Sequence, residues 1–193
     1  MMAQIDGEKI RQNALKDGDS AKEAFSELWH YFYPRLMRFA VSFRGLPIAE
    51  YDDHVSDILI KGFQNIERYN PDYALSTWVY KIAENHFNDV LRKTKKSSSV
   101  LIDDLGMNDF SKIDSSSIIE DETADRDLLE RCKNAINLLK DDDRKIAFLK
   151  FYESMSSAEI GRILGISPGT VRWRISLIRA FIEKHTGGMS NED

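Results

Sequence analysis

At 193 residues, 42% hydrophobic and with a net charge of −5, the chain can build one large core or two small ones, and its overall balance argues against a polyanionic partner. A single cysteine, Cys132, excludes an intramolecular disulfide and a cysteine-rich zinc site, which fits a reducing compartment. The opening residues hold no apolar run like a signal peptide, and no window approaches the ~18 apolar residues of a membrane span, so a cytoplasmic protein with no membrane partner is expected.

Residues 1–19 read as an N-terminal extension. Ser20 and Glu23 have the spacing of a capping box, and Phe25, Leu28, Trp29 and Phe32 follow as an amphipathic stripe. Pro34 is expected to kink or restart this helix, and Leu36, Phe39, Ala40 and Phe43 carry a second stretch to Gly45. The next helix starts at Asp52 or Asp53, with Val55, Ile58, Leu59, Phe63 and Ile66 inward. After the turn YNPD, Ser76 or Thr77 caps a helix with Val79, Ile82, Ala83, Phe87, Val90 and Leu91 at helical spacing. From Trp78 to Lys96 there are five bases and two acids. No strand pattern competes, so residues 20–96 form an all-α unit.

The acid is concentrated farther on. Residues 97–127 carry −7, which leaves the rest of the chain at +2. With two serine triplets and no helical period, residues 97–124 read as a flexible acidic linker. The second helical unit spans 125–187, and 188–193 form a disordered tail. In it Asp125 caps a helix with Leu128, Leu129, Cys132, Ile136 and Leu139 inside, and DDDRKIAFLKFY makes another with Ile146 and Leu149 inward. Ser156 and Glu159 form a second capping box. Gly161 allows a close crossing, Gly165 supplies a left-handed turn, and Ser167 and Pro168 are N-cap and first helical residue.

The result is a helix-turn-helix. At ~100° per residue, Val171, Ile175, Ile178 and Ile182 share the buried stripe of its second helix. Gly169, Arg172, Trp173 and Ser176 point the other way, with Arg174 and Arg179 on the flanks. An acid-free surface of Arg, Ser and Trp suits a phosphate-lined groove; an ordinary solvated basic face is the plainer alternative. Three arginines on phosphates give a salt slope of only about −2.7, so something else must hold this weak binder at its site.

Three stretches resemble the extracytoplasmic-function class of bacterial RNA polymerase sigma factors. YDDHVSDILIKGF resembles the family's polymerase-binding helix, with Asp53, Val55, Asp57, Lys61 and Phe63 matching. RYNPDYALSTWVYKIAENHFNDVLRK resembles its promoter-melting segment through Trp78, Ile82, Ala83, Asn85, Asp89 and Arg92. SAEIGRILGISPGTVRWRI resembles its second-domain helix-turn-helix through Glu159, Ile160, Leu164, Gly165, Thr170, Val171 and Arg174. The chain departs from the pattern at His54 (usually Leu), Gly62 (usually Ala), Lys140 (commonly Pro) and Trp173 (usually small or polar).

The resemblance implies an all-α protein of two domains: residues 20–96 for polymerase and the −10 element, residues 125–187 for the −35 element. Asp53, Asp57, Lys61 and Gln64 would meet the clamp helices of core RNA polymerase. Asn70, Tyr73, Lys81, Asn85, Arg92 and Lys93 would meet the −10 DNA. Ser167, Gly169, Thr170, Arg172, Trp173, Arg174, Ser176 and Arg179 would meet the −35 DNA. It further implies a non-catalytic specificity subunit with no cofactor and no metal. The chain would be a monomer when free, contact the polymerase flap, and have an anti-sigma factor as a possible regulator. The alternatives are a stand-alone helix-turn-helix repressor or activator, and an enzyme. For the latter the sequence offers only the i, i+3 pairs His54/Asp57 and His86/Asp89, with no third ligand in view.

Overall fold

The computed structural model describes residues 5–97 and 126–187, and the regular elements among them are all helical. The all-α expectation is therefore borne out. The acidic linker, the Asp125 cap and the tail beyond residue 187 lie outside the described residues.

The first helix, α1 (Gly7–Ala14), lies within what the sequence suggested was an extension. Asp6 caps it, its carboxylate accepting the Lys9 amide at 3.1 Å. Ile10 is fully buried, and Gly7 sits where a Cβ would fall 2.8 Å from Leu75 Cβ. Helix α2 (Asp19–Ala40) corrects the expected Ser20 cap and the expected restart at Pro34. It starts directly after Gly18, whose φ of 77° turns the chain out of the preceding segment, so Ser20 lies inside the first turn and caps nothing. It also runs unbroken through Pro34. A mid-helix proline costs about 3 kcal/mol. Phe32 on one side and Leu36 and Phe39 on the other are all buried, which offsets that cost.

Helix α3 (Tyr51–Gln64) starts one residue before the expected range, after a short 3₁₀ turn at Ile48–Glu50. Helix α4 (Leu75–Ser97) starts at Leu75, so Ser76 and Thr77 occupy its first turn rather than its cap. Val55, Ile58 and Leu59 from α3 meet Val79, Ala83 and Phe87 from α4 in the core.

Beyond the linker come α5 (Arg126–Leu138), α6 (Asp141–Ala147), a π turn at Phe148–Tyr152, α7 (Ser157–Leu164) and α8 (Pro168–Thr186). The two halves of the chain share one apolar core. Phe148 of the π turn packs on Phe39 (ring centroids 5.4 Å apart) and Tyr80 (6.2 Å). Polar ties reinforce this seam. Arg144 donates to the Val41 carbonyl at 2.7 Å, and Arg44 to the Asn137 and Leu139 carbonyls at 2.5 and 2.9 Å. Arg38 bonds the Tyr152 hydroxyl, and Arg35 lies 3.8 Å from Glu153. Burial pushes the Glu153 carboxyl upward, with Arg35 and Arg38 opposing.

At the centre of the seam Lys145 meets Glu84 at 3.1 Å, with side chains only 6% and 9% exposed. The Lys145 ammonium also reaches Asn88 Oδ1 at 3.4 Å and lies 4.2 Å from the centre of the Phe43 ring.

Candidate nucleic-acid interface

The turn between α7 and α8 follows from its sequence. Ser156 Oγ accepts the Glu159 amide at 3.3 Å while the Glu159 carboxylate accepts the Ser156 amide at 2.8 Å, so the second capping box is present. Gly165 ends α7 in the left-handed region at φ 71°. Gly161 is needed for a different crowding than expected. A Cβ there would stand 2.6 Å from the Ile166 carbonyl oxygen, so the turn itself, not a crossing helix, requires the glycine. Ser167 caps α8 through the Thr170 amide (3.0 Å), with Pro168 as its first residue.

Helix α8 buries Val171, Ile175 and Ile178 and leaves Ile182 half-buried. Gly169, Arg172, Trp173 and Ser176 all face solvent, as their angular positions require. The four other residues assigned to this surface have partners within the chain. The Ser167 and Thr170 hydroxyls pair with each other at 2.8 Å. Arg174 is half-buried between Asp142 and Asp143 of α6, at 3.5 and 3.6 Å. Arg179 lies over the Phe151 ring at 5.7 Å. The exposed face also includes a residue absent from the sequence assignment, Leu177, one turn after Trp173. Its position four residues on, off the Val171–Ile175–Ile178 stripe, was the available signal.

Residues assigned to the −10 element lie on and before α4. Asn70, Asn85, Arg92 and Lys93 are exposed. Asn70 Oδ1 accepts the Asp72 amide at 2.9 Å, and Arg92 pairs with Asp89 at 3.0 Å. Tyr73 and Lys81 are engaged by α7. The Arg162 guanidinium stacks 4.3 Å from the Tyr73 ring centre, and Lys81 Nζ donates to the Ile163 carbonyl at 2.7 Å, at the C-terminal end of α7. Thr77 reaches Glu159 at 3.5 Å. Trp78 is half-buried against Tyr69. Two stretches expected to contact different parts of a promoter thus face each other.

The residues assigned to polymerase share the exposed side of α3. Asp53, Asp57, Lys61 and Gln64 are exposed, and Asp57 and Lys61 pair with each other at 3.8 Å. Beside them the two histidines of the i, i+3 pairs meet across α3 and α4. His86 Nε2 lies 3.2 Å from His54 Nδ1, Lys61 Nζ is 3.4 Å from His86 Nδ1, and Glu50 is 3.4 Å from His54 Nε2. Burial, then Lys61 and His54, lower the His86 pKa to about 4, so its imidazole is neutral at neutral pH. Among the described residues no helix is long and apolar enough to cross a membrane.

Comparison with known proteins agrees with this layout. Residues 28–97 match the sigma-70 region 2 family and residues 129–182 the sigma-70 region 4 family, together more than half of the chain. The chain is 28% identical over 180 residues to the ECF RNA polymerase sigma factor SigW of Bacillus subtilis (strain 168), covering 91% of this chain and 95% of that protein. The fold resembles CnrH solved with the cytosolic domain of CnrY (TM-score 0.61, 23% identity, 93% of this chain and 95% of that one). It also resembles the sigma factor RpoE solved with the anti-sigma factor NepR from Bartonella quintana (TM-score 0.63, 23% identity, 84% and 96%). With both regions present, in order and over nearly the full length of its relative, the chain belongs to the sigma-70 family as an extracytoplasmic-function sigma factor, which directs RNA polymerase to specific promoters.

Proposed function

We propose that this chain recruits core polymerase through the exposed side of α3, reads the −35 element with α8 and opens the −10 element with α4 and the turn before it. The carrying observation is the acid-free exposed face of α8, Gly169, Arg172, Trp173 and Ser176, set on a capped helix-turn-helix. A carboxylate-free surface tolerates phosphates on both sides while side chains reach base edges. On α3, Asp53, Asp57, Lys61 and Gln64 supply a mixed-charge surface suited to a protein partner, the clamp helices of the polymerase. The second domain would meet the flap. The protein then acts in the cytoplasm as a non-catalytic subunit, and as a monomer before it joins polymerase. Residues 20–96 and 125–187 are its two working units, joined by the linker at 97–124.

The contacts of Tyr73 and Lys81 support a closed free form. In it the Ile163 carbonyl takes one of the three donors of the Lys81 ammonium and the Arg162 guanidinium covers one face of the Tyr73 ring, so both are partly occupied before DNA arrives. Polymerase, by holding the two halves apart, would free both. An anti-sigma factor, such as the partner in the Bartonella complex, is the kind of regulator that would hold the chain inactive.

The test is reconstitution. The purified chain is mixed with sigma-free bacterial core polymerase and genomic promoter fragments, and run-off transcripts are mapped. Discrete transcripts with conserved upstream spacing are expected. Failure to bind core polymerase would overturn the proposal. Tight, specific DNA binding by the chain alone would favour a stand-alone repressor or activator.

A further inference from the structure

The exposed face of α8 is polar at its edges and apolar in the middle. Trp173 is 60% exposed and Leu177 50% exposed, and they stand one turn apart on the same side. Arg172 and Arg179 lie along one flank of this strip, Arg179 over the Phe151 ring, and the helix carries no acid before Glu183. An apolar strip with cations along its flank and no acid near it suits an apolar feature inside a polyanionic groove. In the major groove of B-DNA that feature is the thymine 5-methyl group.

Building on the assignment of α8 to the −35 element, we infer that Trp173 and Leu177 read thymine methyls there. Four helical residues advance about 6 Å, and base pairs are spaced about 3.4 Å, so the two side chains sit about two base steps apart. The inference therefore specifies two thymines, one to three steps apart, in a −35 element whose other positions are read by hydrogen bonds. Arg172, in the second turn of α8, is placed to donate to a neighbouring guanine or phosphate.

The test uses holoenzyme reconstituted from the full chain and core polymerase, on a promoter that it transcribes. Each thymine of the −35 region, on either strand, is replaced singly by deoxyuridine, which keeps the hydrogen-bonding edge and removes only the methyl. At two positions binding should weaken about fourfold, the worth of one buried methyl. Trp173→Ala should abolish the penalty at one position and Leu177→Ala at the other, with thermal unfolding of both variants unchanged because both side chains are exposed. If every deoxyuridine costs less than twofold while transversions of the same base pairs cost tenfold, α8 reads the element without its methyls and the inference is overturned. If the penalties persist in both variants, other residues read them. If both variants keep full promoter binding but lose affinity for an anti-sigma factor, the strip belongs to a protein partner. If transversions throughout the −35 region have no effect, the assignment of α8 itself fails and the methyl contacts fall with it.

Discussion

Replacing Lys145 by alanine tests the closed arrangement at its most buried polar point. Lys145 and Glu84 are 3.1 Å apart on opposite sides of the seam, each less than a tenth exposed. Removing one partner of such a pair leaves an uncompensated buried charge, which costs about 3–5 kcal/mol. Glu84 retains one donor, the Asn88 side-chain amide at 2.8 Å, which places the loss near the lower end, about 3 kcal/mol. That corresponds to roughly a 150-fold shift toward the separated form. Urea denaturation followed by tryptophan fluorescence should show the loss, and small-angle scattering should show a larger radius of gyration for Lys145→Ala. The double variant Lys145→Met/Glu84→Leu replaces charge by apolar volume and should recover most of the stability. The reasoning is refuted if Lys145→Ala costs less than about 1 kcal/mol, the value of a solvated surface pair, with the radius unchanged.

Four further outcomes are expected. Asp57→Arg should lower affinity for core polymerase at least tenfold in a competition assay yet cost under about 0.5 kcal/mol of stability, because its pair with Lys61 is exposed. Arg172→Ala should reduce −35-dependent binding by about 1–3 kcal/mol in a holoenzyme gel-shift assay while polymerase binding is unchanged. Gly62→Ala should stabilise the chain by about 0.5–1 kcal/mol in thermal melting, since its Cβ would meet only Ile82 and Trp78 at ordinary distances of 3.7 and 3.8 Å. The His86 pKa lies below its unfolded value, so its contribution is complete above about pH 6.5 and is lost as pH falls toward about 4. His86→Asn should therefore flatten the stability profile in that window relative to wild type, while the opposite-signed contribution of Glu153 remains in both.

Much of the helical layout was legible because apolar residues recur at helical spacing and the caps of the helix-turn-helix are local. Ser156, Glu159, Gly165, Ser167 and Pro168 each act within four residues, so sequence alone placed them. The misses have non-local causes. Helix α1 is short and gains its burial from Ile10 and from Gly7 against Leu75, contacts that no window around residue 10 contains. Pro34 points from sequence to a kink or restart, and the burial that carries α2 through it comes from other helices. Gly161 was correctly singled out, but its neighbour is the Ile166 carbonyl, a consequence of how the turn folds back.

The seam between the two halves was illegible for an electrostatic reason. Lys81 is expected from sequence to meet DNA, yet it faces the Ile163 carbonyl, while Lys145 and Arg162 face the Glu84 carboxylate and the Tyr73 ring. A cation selects an electron-rich partner without specifying which one, so charge pattern identifies the side chains that can bind DNA but not what occupies them when DNA is absent. In the proposed cycle the same property makes the exchange cheap. Lys81 gives up a carbonyl and gains a phosphate, and Tyr73 gives up a guanidinium and gains a base, so little of the opening cost falls on the DNA-facing groups. The larger share falls on the apolar seam around Phe39, Tyr80 and Phe148 and on the Lys145–Glu84 pair. Those groups gain nothing from DNA, and the free energy that separates them must come from binding polymerase.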